Sequence, residues 1–454
     1  MKRILISSAW LNPQRSYDVA TWKKRSNPFT VNAPITEHFG LRFLKANHPE
    51  ITILEYPTGD QFINEASKGW DAIGISFYIN ETNDAVQMAE IARKYGVPEI
   101  WAGNYGAMTP AIQNRFDKVF IGWGELPLAE ELGKSPAELI HPPMFMRIFF
   151  HGLQVQTWGV LFTSRGCNKS CTFCQTPRFY RKPYTLDLST IDAVLKQYRA
   201  AGVSQIIILD ENFGYFEDYT REIIELLDRY RLKWNPMTRV ETLYKNYDLW
   251  KMYGMRGASI GLESLNQDSL DSARKGNDLT QSREILRWMK RDHLFIQTFY
   301  IIGFEQDSES SIRENIEELR HYHIDSPQIQ ILTPEPGTKL FTHIEQTYGM
   351  TTYDYSLYDT THLVWNHPSI QARQMQKLQL WANDRLFTPM NSIRTSLKIV
   401  SQSFYAFDKG LKSVVSTPLW TGNINSFQVP HRELIKYGSR RGDHARLDLS
   451  DNAS

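Results

Sequence analysis

Ser164-Arg-Gly-Cys-Asn-Lys-Ser-Cys-Thr-Phe-Cys174 follows the apolar run Val160 to Phe162, and its thiols, Cys167, Cys171 and Cys174, are all the cysteines in a chain of 454 residues. Three soft ligands on one loop select an iron-sulfur cluster or zinc. A cluster held by cysteine alone takes four, so three leave one iron open to a ligand that is not a thiol. A structural zinc site asks for four protein ligands, commonly as two separated pairs, and no histidine stands near enough in the chain to be the fourth. Disulfides fit worse. The cysteine count is odd, and Met1-Lys-Arg-Ile-Leu-Ile runs straight into a strand pattern that leaves no room for a secretory signal.

From the loop outward, residues 157–340 repeat a strand-helix alternation six times. The first strand carries the cysteines. Gln205 to Leu209 ends in Asp210-Glu211-Asn212, a third strand near Trp234 to Val240 ends around Arg239 and Glu241, and Ala258 to Leu262 ends in Glu263-Ser264. Phe295 to Ile302 ends in Gly303-Phe304-Glu305, and Gln328 to Leu332 leads into Thr333-Pro-Glu-Pro-Gly-Thr338. Between them Ile191, Val194, Leu195 and Tyr198, then Ile223, Ile224 and Leu227, then Ile312, Ile316 and Leu319 make helical stripes, and Ser189 with Asp192 reads as a helix start. Such alternation predicts a partial (β/α)6 barrel of the TIM type, whose strand carboxyl ends form the reactive face.

Residues 1–132 read as a doubly wound, Rossmann-like α/β domain with strands at Arg3 to Trp10, Ile51 to Tyr56, Ala72 to Ile79, Glu99 to Gly103 and Lys118 to Gly122. Ligands of such sheets sit beyond the strand carboxyl ends. The loops there carry Ser76, then Gly103, Asn104 and Tyr105, then Gly122, Gly124 and Glu125, with small residues that admit a bulky planar ligand. Residues 133–156, with Pro136 and His141-Pro-Pro143, read as a linker without chemistry. Residues 341–454 read as a mainly helical region over the barrel mouth. It holds Trp365-Asn-His-Pro368, a helix with Met375, Leu378, Trp381 and Ala382 on one face, the aromatics Phe404, Tyr405, Phe407 and Trp420, and a polar tail after Tyr437.

Composition narrows the partners. Hydrophobic residues make up 41% and aromatics 13%, enough for a sizeable core, with no apolar run near the ~20 residues of a membrane helix. A net charge of +1 gives no electrostatic reason to expect nucleic acid. The expected location is the cytoplasm.

The spacing C-x-x-x-C-x-x-C, with an aromatic residue before the last cysteine, resembles the radical S-adenosylmethionine (SAM) family. That resemblance implies a [4Fe-4S] cluster on Cys167, Cys171 and Cys174, with SAM chelating the open iron and Phe173 meeting the adenine through its backbone. It implies SAM contacts at the strand ends: Asp210, Glu211 or Asn212 toward the ammonium, Arg239 toward the carboxylate, Glu263 toward the ribose and Gly303 beside the base. The loops of residues 1–132 are similar to the cobalamin-binding domain of one subgroup, in which a G-G-x-H turn and a V-G-x-G-E segment recur. Here Gly103-Asn104-Tyr105 replaces the turn, and no D-x-H-x-x-G supplies a histidine to cobalt.

The resemblance implies cleavage of SAM to a 5′-deoxyadenosyl radical and cobalamin-dependent methylation of an unactivated carbon. The substrate would be a small molecule of the natural-product kind, and the electron donor a flavodoxin or ferredoxin. Ring closure, oxidation or rearrangement without methyl transfer is the alternative, and a non-enzymatic iron-sulfur sensor is the reading from another class. No cysteine remains for an auxiliary cluster or a methylated thiol.

Overall fold

The computed structural model describes residues 2–10, 31–32, 37–134, 138–150 and 153–404. In chain order the first strands are β1 (Ile4–Ser8), β2 (Val31–Asn32), β3 (Thr52–Leu54), β4 (Ala72–Ser76), β5 (Glu99–Gly103) and β6 (Lys118–Val119). All but β2 form one parallel sheet, ordered β3-β1-β4-β5-β6. Successive side chains leave a strand on opposite faces. Leu5, Ile73, Ile75 and Ile100 therefore join one apolar cluster with residues of helices Gly59–Ala66 and Thr82–Lys94. Ile4, Ile6 and Trp101 join another with Leu41 and Leu128, from helices Phe39–Asn47 and Glu125–Glu131. Helices thus cover both faces of the sheet, and its carboxyl edge is left for the loops after β4, β5 and β6.

The second sheet begins with β7 (Phe145–Phe150) and β8 (Leu153–Leu161). After the short pair β9 (Ser164–Arg165) and β10 (Tyr184–Thr185) it continues through β11 (Gln205–Ile208), β12 (Lys233–Arg239), β13 (Gly257–Glu263), β14 (Phe295–Ile302) and β15 (Ser326–Ile331). Its order is β15-β14-β13-β12-β11-β8-β7-β2. From β8 to β15 six strands run parallel, each joined to the next through a helix. All six carboxyl ends lie on one side.

Three sequence expectations change. The stretch 133–156 is more than a connector: Phe145–Phe150 pairs antiparallel with β8, and Val31–Asn32 pairs antiparallel with Phe149 and Phe150. Its apolar residues, Phe145 to Phe150, suit a strand flanking a buried sheet, which their irregular alternation concealed. The helix after the cysteine loop starts at Leu188, with Asp187 at its N-cap, rather than at Ser189. The helix carrying Met375, Ala372–Leu386, packs along β15 and against helix Glu309–Arg320 instead of lying across the mouth. An open half-barrel leaves an edge strand unpaired, and here Gln379 Nε2 donates to the Ile329 carbonyl at 2.9 Å while Ile331 N–H donates to Thr360 O at 2.8 Å.

Helix Pro389–Phe404 closes the described chain, so Tyr405, Phe407, Trp420 and the tail after Tyr437 lie outside the described residues, as does the side chain of Phe404. No helix among the described residues is long and apolar enough to cross a membrane.

Candidate active site

The cysteine loop leaves the end of β8 and is anchored by its neighbour β11. Asp210 accepts from the backbone N–H groups of Thr163 at 2.7 Å and Ser164 at 2.9 Å, and from both of their hydroxyls. Burial raises its pKa, and those four hydrogen bonds oppose the rise. With both oxygens engaged, Asp210 is a positioning residue for the loop rather than the SAM contact that the resemblance implies. Its neighbour Glu211 accepts from Gly166 N–H at 2.8 Å, and burial lifts its carboxyl to about 7. Asn212 is buried and also turned inward, its Oδ1 accepting from Arg239 N–H at 3.2 Å and from the Thr238 and Thr242 hydroxyls.

Cys167, Cys171 and Cys174 are each half-buried. Burial raises the Cys167 thiol and lifts Cys174 to about 11, and each is raised further by its cysteine neighbours. Hydrogen bonds from the side chain and backbone of Thr176 counter the rise at Cys174. Arg239, at the end of β12, donates from Nη1 to Cys171 Sγ at 3.3 Å. Its other donors hold Glu241 and the Lys275 carbonyl. Crowded, desolvated thiols beside a guanidinium suit a centre that takes thiolates and balances their charge. Among the described residues no three such ligands stand close enough to hold a single metal ion. A cubane distributes its ligands over separate irons and asks for no such convergence, so the donor set fits it.

Phe173 is half-buried against the barrel core, between Thr172, whose N–H donates to Ala273 O, and Cys174. Glu263 sits at φ +64° after a bulge in β13, and its carboxylate is paired with buried Lys275 at 2.7 Å. Gly303, at φ +84°, gives its N–H to Asp307 at 2.8 Å, and a Cβ there would lie 2.7 Å from Met375 Cε. The close approach at Gly303 is therefore made by a methionine, not left open for a base. Arg178, Arg181 and Lys182 are exposed, as a solvated run would be.

Sequence reasoning passed over Glu335, quoted only as the variable position of the turn after β15. Burial alone lifts its carboxyl to about 7, with no charged or hydrogen-bonding side chain opposing it, although part of its surface stays accessible. The same turn docks on the cysteine loop, where Gln175 Nε2 donates to Pro336 O at 2.9 Å and Leu340 N–H to Thr172 O at 2.9 Å. A carboxylate flanked by two prolines was visible in the sequence. Its isolation was not.

The loops of the first sheet meet the segment that follows the cysteines. Tyr105 stacks on Phe179 with centroids 4.4 Å apart, and its hydroxyl lies 3.2 Å from Thr176 Oγ1. A Cβ on Gly122, at φ +98°, would stand 3.0 Å from Phe179 O, and one on Gly124 would stand 3.1 Å from Leu44. These two glycines are closed by protein atoms, contrary to the reading of them as a cradle. Glu125 is buried in an ion pair with Arg165 at 3.6 Å, and the Arg165 guanidinium lies 4.0 Å above the Trp123 ring. Room is left at Ser76 and Gly103: Ser76 is half-buried, and a Cβ on Gly103 would find only Ile75 O, at 4.0 Å. Asn104, at φ +69°, turns its Oδ1 back onto Tyr105 N–H. The open backbone thus lies at the ends of β4 and β5, not in the loop after β6.

Residues 161–319 match the profile of the Radical SAM superfamily. The chain is 26% identical over 353 residues to bacteriochlorophyllide d C-12(1)-methyltransferase of Chlorobaculum tepidum, covering 71% of this chain and 75% of that one. It is 26% identical over 204 residues to the anaerobic magnesium-protoporphyrin IX monomethyl ester cyclase of Cereibacter sphaeroides, covering 43% of this chain and 33% of that one. Its fold is like that of the radical SAM methyltransferase TsrM from Kitasatospora setae, solved with cobalamin and a [4Fe-4S] cluster. That likeness has a TM-score of 0.57 at 14% identity and covers 76% of this chain and 78% of the other. A radical SAM domain implies SAM and a [4Fe-4S] cluster, and the three thiols at the mouth of six parallel strands are what such a domain presents. The chain carries a radical SAM domain at residues 161–319.

Proposed function

We propose that the chain methylates an unactivated carbon of a small molecule, with cobalamin held at the ends of β4 and β5 as the methyl carrier. When bound, the cluster and SAM supply a 5′-deoxyadenosyl radical, and methylcobalamin supplies the methyl group. Cys167, Cys171 and Cys174 would hold the cluster. Arg239 would set its positive charge beside the SAM carboxylate. Ser76 and Gly103 would line the edge where the corrin lies.

The observation that carries this reading is the facing of the two sheets. Tyr105, just past β5, touches Thr176, two residues beyond Cys174. Methyl transfer needs its carrier and its radical source to open on one space, and the carboxyl edges of both sheets meet there. The similarity to a named methyltransferase over most of both chains supports the same outcome.

The chain can be purified without oxygen, reconstituted with iron and sulfide, supplied with hydroxocobalamin, and given SAM and a flavodoxin or ferredoxin reductant. Iron and cobalt should co-purify, and 5′-deoxyadenosine should form in the wild type but not in Cys167→Ala, Cys171→Ala or Cys174→Ala. Iron without cobalt would favour the second reading, a ring closure or oxidation without methyl transfer, for which the partial match to a cyclase speaks. Zinc alone, with no 5′-deoxyadenosine, would end both.

A further inference from the structure

We infer that the exposed face carrying Arg178, Arg181 and Lys182 is the docking surface for an acidic electron-transfer protein that reduces the iron-sulfur centre. The inference rests on the cluster reading of Cys167, Cys171 and Cys174 and deepens it by naming where the electron enters.

From Ser164 to Leu186 the chain carries five cations, Arg165, Lys169, Arg178, Arg181 and Lys182, and no aspartate or glutamate, in a protein whose net charge is only +1. Two of the five have partners. Arg165 pairs with Glu125 at 3.6 Å, and Lys169 with Glu241 at 3.6 Å. Arg178, Arg181 and Lys182 are exposed, and their side chains meet no acceptor or opposite charge among the described residues.

The backbone beneath them is fixed. The N–H groups of Arg178 and Phe179 both donate to Gln175 O at 3.0 Å, Phe179 is buried under its stack with Tyr105, and Tyr184–Thr185 pairs antiparallel with Ser164–Arg165. The patch also lies beside the cysteines. A Cβ on Gly166, the residue before Cys167, would stand 3.0 Å from Tyr180 Cβ and 3.2 Å from Lys182 O.

Solvated cations on a fixed frame raise a local positive potential that steers an acidic partner into place. A small anion is gripped by converging hydrogen bonds, as a bidentate arginine makes, and these three side chains make none to each other's neighbours. Electron-transfer encounters sit at the low end of interface area, so a patch of three charges suffices. The step itself is one electron: the donor's reduced flavin or cluster is oxidised by one and the enzyme's cluster is reduced by one, with no bond formed or broken.

The test uses the full-length, iron-loaded protein and a flavodoxin of strong net negative charge. Binding is read by biolayer interferometry at low and high salt, and 5′-deoxyadenosine formation is driven in parallel by reduced flavodoxin or by dithionite. Arg178→Glu with Lys182→Glu should weaken binding about tenfold or more at low ionic strength, mostly through the association rate, and the difference should close as salt screens the charges. Flavodoxin-driven turnover should fall with it, while dithionite-driven turnover matches wild type. Lys196→Glu with Arg199→Glu, the same charge change on the exposed side of helix Leu188–Ala200, should leave binding unchanged. Equal losses from the two double variants would make the effect one of net charge, and equal losses with the two reductants would move the cations into the SAM or substrate site; either overturns the docking surface. Should the reversed chain fail to fold, Arg178→Gln with Lys182→Gln decides, by a smaller drop in the same direction or by none. A wild type that cleaves SAM with dithionite but does not bind flavodoxin ends the docking surface alone, whereas a wild type that holds no [4Fe-4S] cluster ends the reading beneath it.

Discussion

Arg239 donates through Nη1 to the Cys171 sulfur at 3.3 Å, which sets a strand-end guanidinium against the cysteine loop. Of its five N–H donors, three are engaged in that contact and in those to Glu241 and Lys275 O, and the remainder can receive a carboxylate. Arg239→Lys keeps the charge and loses the fork. SAM binding should weaken about tenfold or more, roughly 1.4 kcal/mol, when measured by equilibrium dialysis on the iron-loaded protein. Equal affinity for the two proteins would remove Arg239 from the SAM site.

Asp210→Asn replaces one acceptor oxygen with an amide donor that faces the N–H and hydroxyl groups of Thr163 and Ser164. Loss of these charge-assisted bonds should cost about 3 kcal/mol of stability. Iron uptake should fall with it, because the same bonds fix the start of the cysteine loop. In the fraction that loads iron, SAM affinity should match the wild type. A selective loss of SAM affinity at full stability would return Asp210 to the list of SAM contacts.

Glu335 offers a pH signature. Its folded carboxyl titrates at about 7 against an ordinary 4.5. Between those values the folded state holds a proton that the unfolded chain has released, so this group makes stability fall as pH rises through the window and level off above it. Glu335→Gln removes the dependence. The variant should melt higher than wild type at pH 8, by roughly 1–3 kcal/mol, and the gap should close near pH 4.5. A constant gap across the window would mean that the carboxylate has a partner.

Glu263 and Lys275 form a buried pair, 9% and 6% exposed at their side chains, so neither charge has solvent to fall back on. Glu263→Gln should destabilise by about 3–5 kcal/mol by stranding the lysine. Adding Lys275→Met should recover most of that in denaturant melts. If the two losses add instead, the pair is not coupled.

Gly303→Ala introduces a Cβ 2.7 Å from Met375 Cε at a backbone angle that side chains rarely adopt. A loss of about 1–3 kcal/mol is expected. Met375→Ala in the same chain should relieve the clash but not the angle, and so restore only part of it in thermal melts.

Much of this was legible one segment at a time. The three thiols, the six strands and their polar ends are short-range patterns, and the structure places them in the order read. What the pattern left out is pairing across distance. Asp210 reads as a free acid at a strand end, yet the residues that consume both its oxygens lie 46 and 47 positions earlier. Gly122 and Gly124 read as openings, yet Phe179 O and Leu44 close them. Tyr105 reads as part of a ligand turn, and only the meeting of two sheets turns it toward Thr176. The strand at Phe145–Phe150 was missed because its register was set by partners before and after it, with a slip between Ile148 and Phe149.

Val31–Asn32, encoded among the strands of the first sheet, hydrogen-bonds to β7 and forms the edge of the second. The two sheets are therefore laced together by chain continuity as well as by side-chain contact, and an excised piece starting at residue 157 would lack β7 and the start of β8 as well as this strap. It would show the raw flank of β8 to solvent, where a second copy could add on. Anyone wishing to isolate the cysteine-bearing half should find that it clumps, and that the divide drawn between the halves on paper is not a place where the molecule can be cut.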